Sequence, residues 1–289
     1  MHRCTPFSWT GWLAIVLLMG SEVAHAQEKE PLGGPSLREP SEVFGEQEDE
    51  IETDRDSFTP ATTLVGRGRV MVESSYSFID NRIENDSHSF PELLTRIGLK
   101  ENVELRLGWN YEIGGGEAVS GSGSPGEEEP LGGGKEEEGN LLYGLKVSLT
   151  AQDRWLPRSA LIVHANTPTA GPDTTTQFTS GYVFGWTLPN EWVLDSAIRY
   201  SAASEEGDHF NLWAPSVVLK VPLYEKWKTH IEYFGIFSDQ RENERGSQYI
   251  SPGIHYLVTR DFEVGIRTGW GLNKDSANFF SNIGAGVRF

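Results

Sequence analysis

The chain has 289 residues, 37% of them hydrophobic, with 32 glycines, 9 tryptophans and a formal net charge of -18. Such a charge repels phosphates and argues against nucleic acid as a partner, while the length suits one large β domain or two ordinary ones. High glycine together with high aromatic content fits turn-rich, all-β architecture.

The first residues have the pattern of an export signal. His2 and Arg3 give a weakly positive start, Trp12 to Met19 form a short apolar run, and Ala24-His25-Ala26 supplies a small-x-small site, so cleavage is expected after Ala26. The single cysteine, Cys4, falls inside this signal, leaving an exported chain without disulfides. No apolar run of about 18 residues follows, which leaves a closed β-barrel as the structure able to satisfy its backbone within lipid.

Residues 27–60 are acidic and contain Pro and Gly, with few apolar residues and no period. They are expected to form a largely disordered periplasmic segment ahead of a barrel over 61–289. Whether this segment plugs the lumen or binds a periplasmic partner is open.

After Gly66 a period of two begins. It is clearest in "NVELRLGWNYEI". There Val103, Leu105, Leu107, Trp109, Tyr111 and Ile113 form one face, and Glu104, Arg106, Gly108, Asn110 and Glu112 the other. This is the mark of a half-buried strand, at a length that crosses a bilayer when tilted. The same pattern places strands near 67–79, 89–99, 102–113, 140–150, 159–168, 176–188, 191–202, 209–221, 226–237, 247–258, 262–272 and 278–289. The result is an antiparallel up-and-down barrel of about 12 strands, an even number as such barrels require. Connections alternate in length. Short ones include "LKEN" (99–102), "QDRWLP" (152–157), "LPNE" (188–191), "PLYE" (222–225) and "TRDF" (259–262). Long ones fall near 80–88, 113–139, 168–176, 202–208, 238–246 and 272–277. The short turns would lie in the periplasm and the long loops outside. The 113–139 loop, rich in Gly and Ser with two acidic triplets, is expected to be flexible and solvated.

The stretches "ETDRDSFTP", "GRVMVESSYSF", "HSFPELLTRIGLKENVELRLGWNY" and the closing "GWGLNKDSANFFSNIGAGVRF" resemble a family of outer-membrane β-barrels labelled as transporters of the "MetA-pathway of phenol degradation" type. Members often read Thr-Asp-Arg-Pro where this chain has Asp56 after Arg55. The resemblance implies an outer-membrane barrel and uptake of small, aromatic or hydrophobic compounds. It also gives the terminal Phe289 a meaning, as part of the signal read by the barrel assembly machinery.

If the aliphatic and aromatic face meets the lipids of the outer membrane, the alternate residues line the lumen. These are Glu73, Glu92, Arg96, Glu104, Arg106, Lys146, His164, Asp195, Arg199, Lys228, His230, Glu232, His255, Glu263, Arg267 and Arg288. Charges on the lipid face would cost about 2–4 kcal/mol each at the midplane. The inward groups either pair across the interior as a structural ladder or border a water-containing path; inward glycines either leave room or ease strand bending. A passive channel for a small-molecule solute needs no cofactor, metal or catalytic group, and none is expected. Two other readings stand beside it. One is a barrel hydrolase, for which the interior histidines are the relevant residues although no nucleophile motif is present; the other is a structural, loop-displaying barrel. Deleting Phe289 is expected to impair assembly, read as loss of the heat-sensitive folded band in outer-membrane fractions; normal assembly would refute its role as a signal.

Overall fold

The computed structural model describes residues 50–289, apart from 56, 83–84, 115–135, 172–173, 206–207 and 242–243. The export signal, residues 27–49 and most of the 113–139 loop lie outside the described residues. Twelve strands follow one another: β1 (Val70–Asp80), β2 (Ser87–Lys100), β3 (Val103–Gly114), β4 (Glu136–Thr150), β5 (Arg158–Ala170), β6 (Gln177–Thr187), β7 (Val193–Glu205), β8 (Asp208–Tyr224), β9 (Trp227–Asp239), β10 (Gly246–Thr259), β11 (Phe262–Gly271) and β12 (Phe279–Arg288). Each pairs antiparallel with its neighbours in sequence, and β1 pairs with β12 to close the barrel, with Met71 opposite Arg288 and Asp80 opposite Phe279. Closure leaves no strand edge for lipid to meet.

The alternation sorts side chains as a lipid-facing wall requires. Leu107, Leu145, Leu161, Tyr182, Ile198, Ile231, Ile254, Ile266 and Ile283 are exposed, while charged residues of the opposite parity such as Glu73, Arg96, Glu104, Lys146 and Asp195 are fully buried. Aromatic pairs mark two levels on the outer surface. Trp109–Tyr111, Tyr200–Trp213 and Trp270–Phe279 lie toward the long-loop end, and Trp227–Tyr256 toward the short-turn end. These are the positions of interfacial girdles.

Two expectations are corrected at the long-loop end. The connection near 202–208 is not a long loop. Strands β7 and β8 stay paired up to Glu205 opposite Asp208, because their backbone ladder carries on beyond the apolar belt. The second acidic triplet of the 113–139 loop is likewise drawn into β4, with Glu136, Glu137 and Glu138 opposite Gly114, Ile113 and Glu112.

The largest departure concerns the segment before β1. Residues 50–60 were expected within a largely disordered periplasmic stretch. Instead the chain from Ile51 rises inside the barrel, turns near Ser57–Pro60 and descends to Val65. Ile51, Asp54, Ser57, Phe58, Thr59 and Ala61 have at most 1% of their surface exposed. Its two limbs brace each other: the Ala61 N–H donates to Asp54 Oδ1 (3.0 Å) and the Thr63 hydroxyl to Glu52 Oε2 (2.6 Å). Gly66 and Gly68, at φ of 87° and 75°, then reverse the chain into β1. Gly98 admits this reversal, since a Cβ there would sit 1.7 Å from the Gly66 carbonyl oxygen.

Inward glycines are filled rather than open. A Cβ at Gly253 would meet the His230 ring, one at Gly269 the Phe280 ring, and one at Gly286 the Thr53 methyl group of the inserted segment. Ile283, mid-strand on the outer face and 56% exposed, tests the lipid contact. Ile283→Lys is expected to lower unfolding stability in lipid vesicles by about 2–4 kcal/mol, measured by denaturant titration; an unchanged midpoint would place this face away from lipid.

Candidate functional site

An irregular peptide inside a barrel has no neighbouring strand to take its N–H and C=O groups, so interior side chains must do so. They do. Glu73 accepts the N–H groups of Asp54 (2.8 Å) and Arg55 (3.0 Å). Glu232 accepts those of Phe58 (2.9 Å) and Thr59 (2.6 Å) and also the Thr59 hydroxyl (2.7 Å). Glu104 accepts the Val65 N–H at 3.0 Å. In the other direction, Arg96 donates to the carbonyls of Glu52 (3.0 Å) and Thr63 (3.1 Å), and Lys146 to that of Ala61 (2.7 Å).

The charges close a network around Asp54. Its carboxylate meets Arg106, Arg96 (3.6 Å) and Lys146 (3.5 Å); Arg96 and Arg106 in turn pair with Glu104 at 2.9 and 3.0 Å, and Arg96 with Glu73 at 3.2 Å. Arg55 reaches Glu92 (3.4 Å) and Asn110 (3.1 Å). Glu92 is shared with Ser75 and with Asn282 (3.2 Å). Asp54 belongs to the inserted segment rather than to a spanning strand. Three cations around one carboxylate at this depth compensate its charge and one another's repulsion.

The remaining inward residues divide by level. Toward the short turns, Lys228 binds Glu50 (2.7 Å) and remains partly exposed at the mouth, and Lys220 binds Glu52 (2.8 Å). Arg288 pairs with the turn residue Asp261 at 2.6 Å and donates to the Glu50 carbonyl (3.4 Å). Hydrogen bonds from Arg288 keep the Asp261 carboxyl below its usual range. Glu263 accepts from the Thr53 hydroxyl (3.0 Å) and stands 3.9 Å from His255, whose Nε2 shares a 2.7 Å hydrogen bond with His230 Nδ1. Thr53, Arg55, His255, Glu263, Arg267 and Asn282 border a cavity of about 10 Å³, room for roughly one water. Asp195 accepts from Thr62 at 3.2 Å. Arg267 pairs with Glu232 at 3.3 Å. Arg199 lies over the Phe58 ring, 3.9 Å from its centre. His164, buried on β5, has no hydrogen-bond partner for either ring nitrogen among the described residues.

Most of the inward residues named from alternation thus meet the inserted segment, while His230 and His255 bond to each other and Arg267 pairs with Glu232. Sequence reading missed the segment's own contributors, Glu52, Asp54, Arg55 and Phe58. It also missed an apolar compartment in the long-loop half of the interior, where Phe58, Phe210, Leu212, Phe234, Ile236, Tyr249 and Phe280 form one buried cluster with Ile79, Ala214 and Ala277. The signal was present, because Phe234, Ile236, Tyr249 and Phe280 have inward parity.

These features define a transmembrane 12-stranded β-barrel of the outer-membrane type, its lumen occupied by its own N-terminal segment. A family model described as "Putative MetA-pathway of phenol degradation" matches residues 53–289, and the chain belongs to that family. The match begins inside the inserted segment. Among solved structures, the COG4313 outer membrane channel from Pseudomonas putida F1 is similar, with a TM-score of 0.59 and 11% identity over 82% of this chain and 100% of that one. The NanC porin follows at a TM-score of 0.51 and 8% identity, over 75% of this chain and 98% of that one. At such identities the likeness is one of fold. No curated protein matches the chain.

Removing the central acid would leave three buried cations short of their partner. With the segment in place, Asp54→Asn is expected to destabilise the barrel by about 3–5 kcal/mol, measured by denaturant unfolding in lipid vesicles; a loss below about 1 kcal/mol, the scale of an exposed pair, would show that the charges around Asp54 do not hold the segment.

Proposed function

We propose that this protein is an outer-membrane channel for small molecules in which the segment Ile51–Val65 controls conduction. The observation that carries the reading is the segment itself, a short length of chain anchored at every level of the lumen by side chains that would otherwise face water. A barrel of this strand number lies between packed and open interiors. Here one continuous element of chain fills the short-turn half, while the wall's own apolar side chains gather around its tip in the long-loop half. Membership of the family and likeness in fold to a channel and a porin support the reading. The family's description points to aromatic compounds as solutes.

The export signal, cleaved after Ala26, brings the chain to the periplasm, and Phe289 addresses it to the assembly machinery. The short turns then face the periplasm, and the inserted segment enters the barrel at that end, with the Ile51 N–H donating to the Arg260 carbonyl. With the segment withdrawn, Arg96, Arg106, Lys146, Glu73, Glu104 and Glu232 border the vacated space and are hydrated rather than stranded. They then set selectivity through a mixed-sign field.

The test is conductance in planar bilayers of the full mature chain and of a variant lacking residues 50–62. Discrete current steps are expected from the variant, with the parent closed or opening rarely. A folded variant without steps would end the channel reading in favour of a loop-displaying scaffold.

A further inference from the structure

The apex of the inserted segment carries one aromatic ring, and its surroundings are unlike the rest of the contact. Below the apex the segment is held by charges. At the apex Phe58 stacks on Phe234, with ring centres 4.1 Å apart and planes 13° from parallel. Tyr249 stacks on Phe234 in turn at 4.9 Å, and Phe280 packs against both at 6.0 and 5.8 Å. The Arg199 guanidinium lies over the Phe58 ring at 3.9 Å. A flat ring held between an aromatic face and a guanidinium is how a planar aromatic ligand is bound.

Three further facts describe what fits. Glu232 takes three hydrogen bonds, from the backbone N–H groups of Phe58 and Thr59 and from the Thr59 hydroxyl, so withdrawal of the segment frees an acceptor beside the slot. From the wall, Arg267 pairs with this carboxylate at 3.3 Å. The walls toward the long-loop end are apolar: Ile79, Phe210 and Ile236 belong to the same buried cluster as Phe58. The wall toward the short turns is ionic. A compound arriving from outside thus meets apolar surface first, then the stacked rings, then an acceptor.

We infer that the slot filled by Phe58 is a binding site for a planar aromatic compound bearing a hydroxyl donor, and that such a compound opens the barrel by displacing Phe58. The inference rests on the channel reading above and gives it a ligand. The segment's own phenylalanine acts as a tethered occupant. A free aromatic shifts the balance only by its differential affinity for the vacated slot. Competing with a tethered group, it acts at roughly millimolar concentration, the effective concentration of a short tether. A carboxylate in place of the hydroxyl is disfavoured by Glu232.

The experiment follows displacement directly. Ser57, beside Phe58 and fully buried, is changed to cysteine (Ser57→Cys); the chain's one natural cysteine lies in the export signal. The full chain is expressed into outer membranes. Labelling by a membrane-impermeant thiosulfonate is then timed with phenol, cyclohexanol or benzoate as probe, against the chain with Ser57 intact as background. Phenol is expected to speed labelling at least about fivefold, with cyclohexanol and benzoate well behind. Phe234→Leu in the same background is expected to abolish the phenol response. Equal effects of phenol and cyclohexanol, or no effect of phenol, would overturn the inference and leave Phe58 a packing residue. The two readings fail separately. A phenol-specific response from a barrel that never conducts upholds the binding site and removes the channel. Conduction from the variant lacking residues 50–62 without a phenol-specific response does the reverse.

Discussion

The structure depends on one constraint: a peptide that is neither helix nor strand lies at membrane depth, and each of its buried polar groups needs a partner. In a barrel wall the neighbouring strand supplies that partner. For Ile51–Val65 the supply comes from carboxylates and cationic side chains on β1 to β5, on β7 to β9 and on β11. Glu73, Glu104 and Glu232 accept N–H groups, while Arg96 and Lys146 donate to carbonyls. The inward charges do pair with one another along the wall, as Arg96 does with Glu104 and Arg267 with Glu232, but that pairing is only part of their role. They are the counterpart of a particular stretch of chain.

This bears on how tightly the lumen is closed. Buried ion pairs add little net stability compared with apolar packing, yet breaking one is expensive because the survivor is stranded. In a lumen that can admit water, the survivor is instead hydrated as the segment withdraws. The contact can therefore be both specific and reversible, which a column of packed leucines would not allow. The apex differs in kind. Phe58 is held by stacking on Phe234 and by Arg199, contacts that an aromatic molecule can reproduce. Ionic anchoring below and replaceable stacking above give the segment a fixed base and an exchangeable tip.

Family membership and likeness in fold fit this picture without supplying it. The family match begins at Thr53, which makes the ascending limb part of the matched region rather than a leader to it. In the wall, the glycines complete the fit. Gly286 makes room for Thr53, and Gly253 and Gly269 for the rings of His230 and Phe280, so the interior is shaped around what fills it.

Much of the wall was legible in the sequence. A period of two is imposed by the pleat on every residue of a strand, so the alternation in "NVELRLGWNYEI" gave strand, face and approximate length together. Parity then separated Leu105 and Leu107 from Glu104 and Arg106. The β7–β8 connection was misjudged because strand pairing, not the apolar belt, decides where a hairpin ends. For residues 50–60 the sequence leaves insertion into the lumen open, for a deeper reason. A segment without period, rich in acids, has the composition of a solvated tail, and nothing local marks Asp54 as the counter-charge of Arg96, Arg106 and Lys146, which lie 42 to 92 positions further on. The sequence by itself determined the barrel, its strand order and which side chains point inward, because these follow from local alternation and the need to close a sheet in lipid. Only the tertiary structure decided what those side chains hold, because an interior volume is filled by whichever distant residues match it in charge and shape.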